Sequence, residues 1–185
     1  MEPMEIVAQV IGLVAMAMNV LSYQQKKQKG VIGCQLLGSA LFTVNFLLLG
    51  ATMGAALNGL GIVRALVYMH KERTKAHKLA WVFAFSAAFI LSYVLAFAVF
   101  GKEPDAVNLI VEILPVIAMI ATTISFRCKG AGAIRMFGIV SSPLWLIYNI
   151  VNFSVGAICC EVLNLISILI GIIRFDIPKG GKKDA

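Results

Sequence analysis

Charge is scarce in this chain. Of 185 residues only 14% are charged and nine are acidic, against 60% hydrophobic residues and a mean hydropathy of +0.91. A water-soluble domain of this size would have too little polar surface to present. Histidine is nearly missing as well, with only His70 and His77 flanking a basic segment. Cysteine is sparse and irregular: Cys34 and Cys128 stand alone, and Cys159 and Cys160 are adjacent. Such spacing gives no metal site, no cofactor site and no disulfide framework, so the cysteines read as small packing residues. A nucleophile with a neighbouring base and a phosphate-binding glycine loop are also missing from the pattern, so an enzyme is not expected.

What the sequence has instead is a series of apolar runs of about 17 to 22 residues, the length that crosses roughly 30 Å of hydrocarbon. They are Ile6 to Tyr23, Val31 to Leu49, Gly54 to His70, Leu79 to Phe100, Ala106 to Phe126, Ala133 to Phe153 and Val155 to Arg174. Two neighbouring pairs are parted only by Gly50 to Met53 and by Ser154. Merged into helices of about 40 residues they would overshoot the bilayer, so each pair is read as two helices, with Gly50 and Gly156 as turn or first-turn residues. The first run follows Glu2 and Glu5 without a basic leader, so it is read as a retained helix.

The net charge of +7 belongs to topology. Lys26, Lys27 and Lys29 follow the first run, Lys71, Arg73, Lys75 and Lys78 the third, Arg127, Lys129 and Arg135 surround the fifth break, and Arg174, Lys179, Lys182 and Lys183 lie at the carboxyl end. If seven helices alternate, all of these fall on one side, and the other side keeps Glu2, Glu5, Glu103 and Asp105 with Lys102. Basic residues retained in short cytoplasmic loops produce this asymmetry. The lipid bilayer is therefore the expected partner, the amino terminus is expected outside and the carboxyl terminus in the cytoplasm, and nucleic acid is not expected.

An internal repeat organises the chain. Ala15-Met16 and Leu21-Ser22-Tyr23 are answered by Ala118-Met119 and Ile124-Ser125-Phe126. Lys29-Gly30 is answered by Lys129-Gly130, Gly50-Ala51 with Leu57-Asn58 by Gly156-Ala157 with Leu163-Asn164, and Gly61-Ile62-Val63-Arg64 by Gly171-Ile172-Ile173-Arg174. The last two matches require registers one helical turn apart, so the pairing inside the third helix of each repeat stays open. The expected fold is an all-α membrane protein of seven transmembrane helices: a first three-helix repeat over 1–70, a basic loop, linker helix and outer loop over 71–105, a second repeat over 106–175, and a tail over 176–185. With one intervening crossing the repeats are parallel, related by an axis along the membrane normal, and a crevice is expected between them.

Ser22-Tyr23-Gln24-Gln25 closing the first helix, Leu144-Trp145 with Tyr148, and Asn164 resemble the SWEET, SemiSWEET and PQ-loop superfamily. Val111 to Ile117, Cys128-Lys129-Gly130, Tyr148-Asn149, Glu161 and Ile172-Ile173-Arg174-Phe175 resemble the bacterial inner-membrane YgjV family within it. The resemblance implies a bacterial inner-membrane protein and alternating access for a small polar solute, a sugar being one class. Departures accompany it: Gln24 stands where the PQ motif has proline, and Pro115 and Pro143 in the second repeat face Gly12 and no proline in the first. Gly12, Pro115 and Pro143 are the expected yielding points. A scaffold or partner subunit that keeps the fold without transport is the alternative, and a homodimer is compatible with either.

Few residues inside the runs carry chemistry. Asn58 and Asn164 either contact solute, as the resemblance implies, or glue helices together. Trp145 and Tyr148, one turn apart, form either an aromatic cavity wall or an interfacial pair. Arg64, roughly 9 Å from the basic end of its helix, either snorkels to the interface or serves as a cytoplasmic gate. Glu112 and Glu161 are the two carboxylates within the runs, each roughly 9 Å deep, and are candidate proton sites unless they reach outer water or bond to a neighbouring helix.

Overall fold

The computed structural model describes residues 3–48, 52–99, 101–151 and 155–177, apart from the side chains at 3, 5, 52, 53 and 155. The expected turn at Gly50, the break at Ser154 and the basic tail beyond 177 lie outside the described residues, and Gly156 stands in the first turn of the last helix.

Every described element is a helix: α1 (Pro3–Ser22), α2 (Gln28–Leu48), α3 (Thr52–Met69), α4 (Lys71–Thr74), α5 (Leu79–Ala98), α6 (Ala106–Arg127), α7 (Ala131–Val151) and α8 (Val155–Phe175). The apolar runs become helices because a helix satisfies each backbone N–H and C=O within its own segment, which hydrocarbon demands. Five contain stretches long and apolar enough to cross a membrane, namely Gln28–Leu48, Leu79–Ala98, Ala106–Arg127, Ala131–Val151 and Gly156–Phe175. The apolar stretches of α1 and α3, Ile6–Ser22 and Gly54–Met69, are shorter. The one-turn helix α4 within the basic loop was not foreseen.

Local chemistry sets the breaks. Asp105 caps α6, its carboxylate accepting from the Asn108 N–H at 2.8 Å. Gly130 turns the chain from α6 into α7 at φ +88°, a conformation that disfavours any residue with a Cβ. Large apolar side chains such as Leu13, Leu47, Phe83, Ile110 and Ile173 face outward, while Ser22, Thr123, Ser125 and Arg135 are fully or almost fully buried. That inversion suits a lipid surround.

The packing has a two-fold pattern. Helix α2 lies between α1 and α3, and α7 between α6 and α8. Across the middle α1 meets α8, α3 meets α6, and α2 meets α7. These are the contacts that a two-fold axis relating α1, α2 and α3 to α6, α7 and α8 would generate. Only α5 breaks the pattern, packing on α3 and α6 with no counterpart at the α1–α8 seam.

Hydrogen bonds repeat with the helices. The Ser22 hydroxyl donates to the Asn19 carbonyl at 2.6 Å, and 103 positions later Ser125 donates to the Thr122 carbonyl at 2.6 Å. Arg64 on α3 donates to the Met119 carbonyl and Thr123 Oγ1 of α6, at 3.1 and 3.4 Å. Ser167 on α8 donates to the Val20 carbonyl of α1 at 2.7 Å. Ser167 is Arg64 shifted by 103 positions and Val20 is Thr123 shifted back by the same number. The register of the repeat is thus constant from the first helix of each half to the third. It differs by about one helical turn from the match of Asn58 with Asn164: Asn58 corresponds to Glu161.

Candidate functional site

A cavity of about 770 Å³ lies between the two sets of three helices. Its walls come in pairs of the same register: Asn19 with Thr122, Ser39 with Ser142, Phe42 with Trp145, Phe46 with Asn149, Leu57 with Cys160, and Asn58 with Glu161. Matched faces of matched helices therefore enclose it. Hydroxyls, amides and aromatic rings line a space that the apolar exterior of the protein would not provide.

The cavity opens at one end and is closed at the other. At the open end the wall includes Gly101 and Lys102 of the α5–α6 connection and Asn108 in the first turn of α6. Its floor is made by Tyr23, Arg64 and Met119. Below that floor a buried cluster of Tyr23, Val31, Ile32, Tyr68, Phe126, Ile134 and Ile168 joins the two halves, and Tyr68 meets Phe126 edge-on at 5.9 Å.

Hydrogen bonds between the halves gather at this closed end. Gln24 Nε2 donates to the Ser167 carbonyl at 2.7 Å and to its hydroxyl at 2.9 Å. Gln28 Nε2 donates to the carbonyls of Phe126 and Cys128 at 3.0 and 2.9 Å. In the other direction Arg135 Nη1 donates to the carbonyls of Tyr23 and Gln25 at 3.2 and 3.1 Å. Gln28 and Arg135 thus meet carbonyls at or just beyond the end of a first helix, where the helix supplies no partner. Lys71 adds bonds to the Phe126, Arg127 and Cys128 carbonyls. Desolvation pulls its ammonium below the usual lysine value, with Arg127 among the smaller contributions.

All of the anticipated polar and aromatic residues border this one cavity: Asn58, Asn164, Trp145, Tyr148, Glu112, Glu161 and Arg64. Among the described residues neither asparagine's amide bonds to another helix. The Asn58 amide donates to its own helix at the Gly54 carbonyl, 2.9 Å away, and the Asn164 amide reaches Cys160 Sγ at 3.8 Å and Glu161 Oε2 at 3.5 Å on its own helix. An asparagine that does join two helices is Asn45, whose amide donates to the Ala8 carbonyl at 2.6 Å. Trp145 and Tyr148 meet edge to face at 5.7 Å on the cavity wall.

Arg64 does not snorkel. It is 5% exposed, and its guanidinium lies 4.9 Å from the Phe126 ring centre and 5.9 Å from that of Phe89. On α3 the side chain leans toward the helix amino terminus, which directs it into the bundle and away from the nearer interface.

The two carboxylates share the cavity but not a neighbour. Glu112 is buried and pairs with Lys102 from the α5–α6 connection. Glu161 has neutral company: the Asn164 amide, Cys160, and Ser142, whose hydroxyl faces both Glu161 and Tyr23. Gly12, Pro115 and Pro143 lie outside the wall. Gly12 packs so closely on Asn45 that an added Cβ would sit 3.1 Å from the amide nitrogen, Pro115 is fully buried within α6, and Pro143 is internal to α7.

Tyr23, Asn19, Gln35, Ser142 and Lys102 belong to the site and were not anticipated there. The unbroken register would have disclosed some of them, since Thr122 and Ser142 follow from Asn19 and Ser39. Lys102 carried no such signal.

A chain whose described elements are all helices, with several apolar spans, an apolar exterior and polar side chains turned inward, is a multi-pass membrane protein. It belongs to the bacterial inner membrane protein family Imp-YgjV, whose family model matches residues 6–179. No curated protein and no solved structure matches the chain.

Proposed function

We propose that the protein is a transporter of a small polar solute, working by alternating access between two three-helix units. In this reading α1 to α3, α5, and α6 to α8 cross the inner membrane seven times, in the three-one-three order of the SWEET and PQ-loop superfamily. The basic connections lie in the cytoplasm, and the cavity faces outward.

One observation carries the reading: a cavity on the pseudo-two-fold axis, in which amides, hydroxyls and carboxyls stand among aromatic and apolar side chains, is open at one end, and the hydrogen bonds between its halves are concentrated at the other. A scaffold has no need of such a space, and a dry centre would have favoured that alternative. Rocking the halves would break the bonds of Gln24, Gln28, Arg64 and Arg135 at the inner end and bring α5–α6 and the outer helix ends together over the solute. Pro115 removes one backbone hydrogen bond from α6 and Pro143 one from α7, so the second unit is the one expected to flex. Glu112 already has Lys102 as a counter-charge, which leaves Glu161 as the carboxyl that requires a proton or a cationic solute during the cycle.

Uptake of labelled sugars, amino acids, amines and organic acids into proteoliposomes tests the proposal. Saturable uptake of at least one class is expected, and uptake no greater than in empty liposomes across the panel would refute transport.

A further inference from the structure

The charges along the cavity are unequally matched. Lys102 is held by Glu112, and the Arg64 guanidinium is occupied by the Met119 carbonyl, Thr123 Oγ1 and two aromatic rings. Glu161 has no Lys or Arg within ion-pair distance among the described residues. Its counterpart in the other half is the neutral Asn58, whose amide is closed on Gly54. A largely buried carboxylate without a cation is costly at this depth in the bilayer.

Three residues along the same helix is a second incomplete group. Asn164 is 4% exposed and lines the cavity; it turns Nδ2 toward Glu161, so that its Oδ1 is buried without a donor among the described residues. Residues three apart share one helix face. The site therefore presents a carboxylate and an unfilled amide oxygen side by side, with the Trp145 ring on the same cavity wall. Both groups are acceptors, one of them is charged, and an aromatic ring that lines the same cavity suits a positively charged occupant.

We infer that Glu161 and Asn164 bind the primary ammonium group of a small solute, an inference that rests on the transporter reading and names its substrate class. An R–NH3+ group supplies the positive charge and also N–H donors for both oxygens. A proton neutralises Glu161 and brings a single O–H donor, fewer than the three N–H donors of an ammonium group. A quaternary ammonium brings charge without a donor, and a neutral polyol brings donors without charge. Hard divalent cations require about six or more oxygen ligands, and the described residues contain no cluster of acidic, cysteine or histidine side chains that approaches such a set.

The test compares ethanolamine, choline and glucose, by uptake into proteoliposomes holding the full chain and by thermal stabilisation of the purified protein. Ethanolamine should be taken up saturably and raise the melting temperature. Choline, which differs only in the methyl groups on nitrogen, should be weaker by about tenfold or more, the loss expected for a hydrogen bond to a charged group. Glu161→Gln and Asn164→Leu should each lower ethanolamine uptake by a similar factor, while Glu161→Asp retains part of it. If the variants fail to fold, the comparison of ethanolamine with choline on the unaltered protein still decides. Equal uptake of choline and ethanolamine, or sodium-dependent uptake without amine uptake, would overturn the inference. Uptake of glucose alone, unaffected by Glu161→Gln, would overturn it and leave the transporter reading intact. Failure of all three solutes to enter or to stabilise the protein would overturn the inference, and the broader panel would then judge transport.

Discussion

Arg135 and Asp176 form a two-pronged ion pair in which Nε and Nη2 donate to the two carboxylate oxygens at 2.7 and 2.6 Å. That grip leaves Nη1 aimed at the Tyr23 and Gln25 carbonyls just beyond α1, so the residue that follows α8 helps to set the donor that joins the two halves. Arg135 is 1% exposed and Asp176 is 24% exposed. Asp176→Asn should cost about 1 kcal/mol, in the range of a partly solvated pair. Arg135→Gln should cost about 3 kcal/mol, because it leaves Asp176 and two carbonyls without their donor. Thermal unfolding of each purified variant gives the order, and a larger effect for Asp176→Asn would contradict this account.

Gly171 tests how tightly the closed end is packed. A Cβ there would sit 2.6 Å from the Tyr23 carbonyl oxygen and 2.7 Å from Arg135 Cδ. Gly171→Ala should therefore destabilise the closed inner end by about 1 to 3 kcal/mol, as overpacking does. A single cysteine at Ser167 in a cysteine-free background should then react faster with a membrane-permeant thiol reagent. Unchanged reactivity together with an unchanged melting temperature would show that the inner end is looser than described.

Lys102 and Glu112 should be coupled. Lys102 is 31% exposed and Glu112 is 6% exposed, so the pair is neither fully screened nor fully dry. A double-mutant cycle of Lys102→Gln and Glu112→Gln should give a coupling of about 1 kcal/mol in stability. The double variant should be no less stable than Lys102→Gln alone, since that substitution strands a buried carboxylate. Strict additivity would place the pair among contacts of no energetic weight.

Orientation is decided by labelling. With single cysteines in place of Lys102 and Lys75, an impermeant thiol reagent added to intact cells should modify the first and not the second. The reverse pattern would turn the cavity toward the cytoplasm and invert the proposed cycle.

Much of the helix plan could be read from the sequence because hydrocarbon imposes a length: α1 to α3 and α5 to α8 each begin and end within a few residues of an apolar run. The convergence of Asn58, Asn164, Glu112, Glu161, Trp145 and Tyr148 was legible for a related reason, since polar groups in such runs must turn inward. The partner of Asn58 stayed open because Leu57-Asn58 and Leu163-Asn164 share letters at one register and the glycine–arginine matches require another, whereas the packing follows depth in the helix. Carrying the register of Ser22 and Ser125 forward would have led to Glu161. Arg64 misled because its distance from the interface allowed snorkelling, and residue spacing alone does not say which way a long side chain leans. Lys102 lies in a connection, where no periodicity links it to Glu112.

The correspondence of Asn58 with Glu161 has a consequence for ancestry and for engineering. Two identical three-helix chains meeting about a two-fold axis would be bound to carry the same residue at both places: two amides or two acids. Joining the halves through α4 and α5 lifts that constraint, so one covalent chain can keep an amide on one wall and vary the opposite wall by itself. The polarity of the chamber can then change one side at a time, without a matching change being forced on the other.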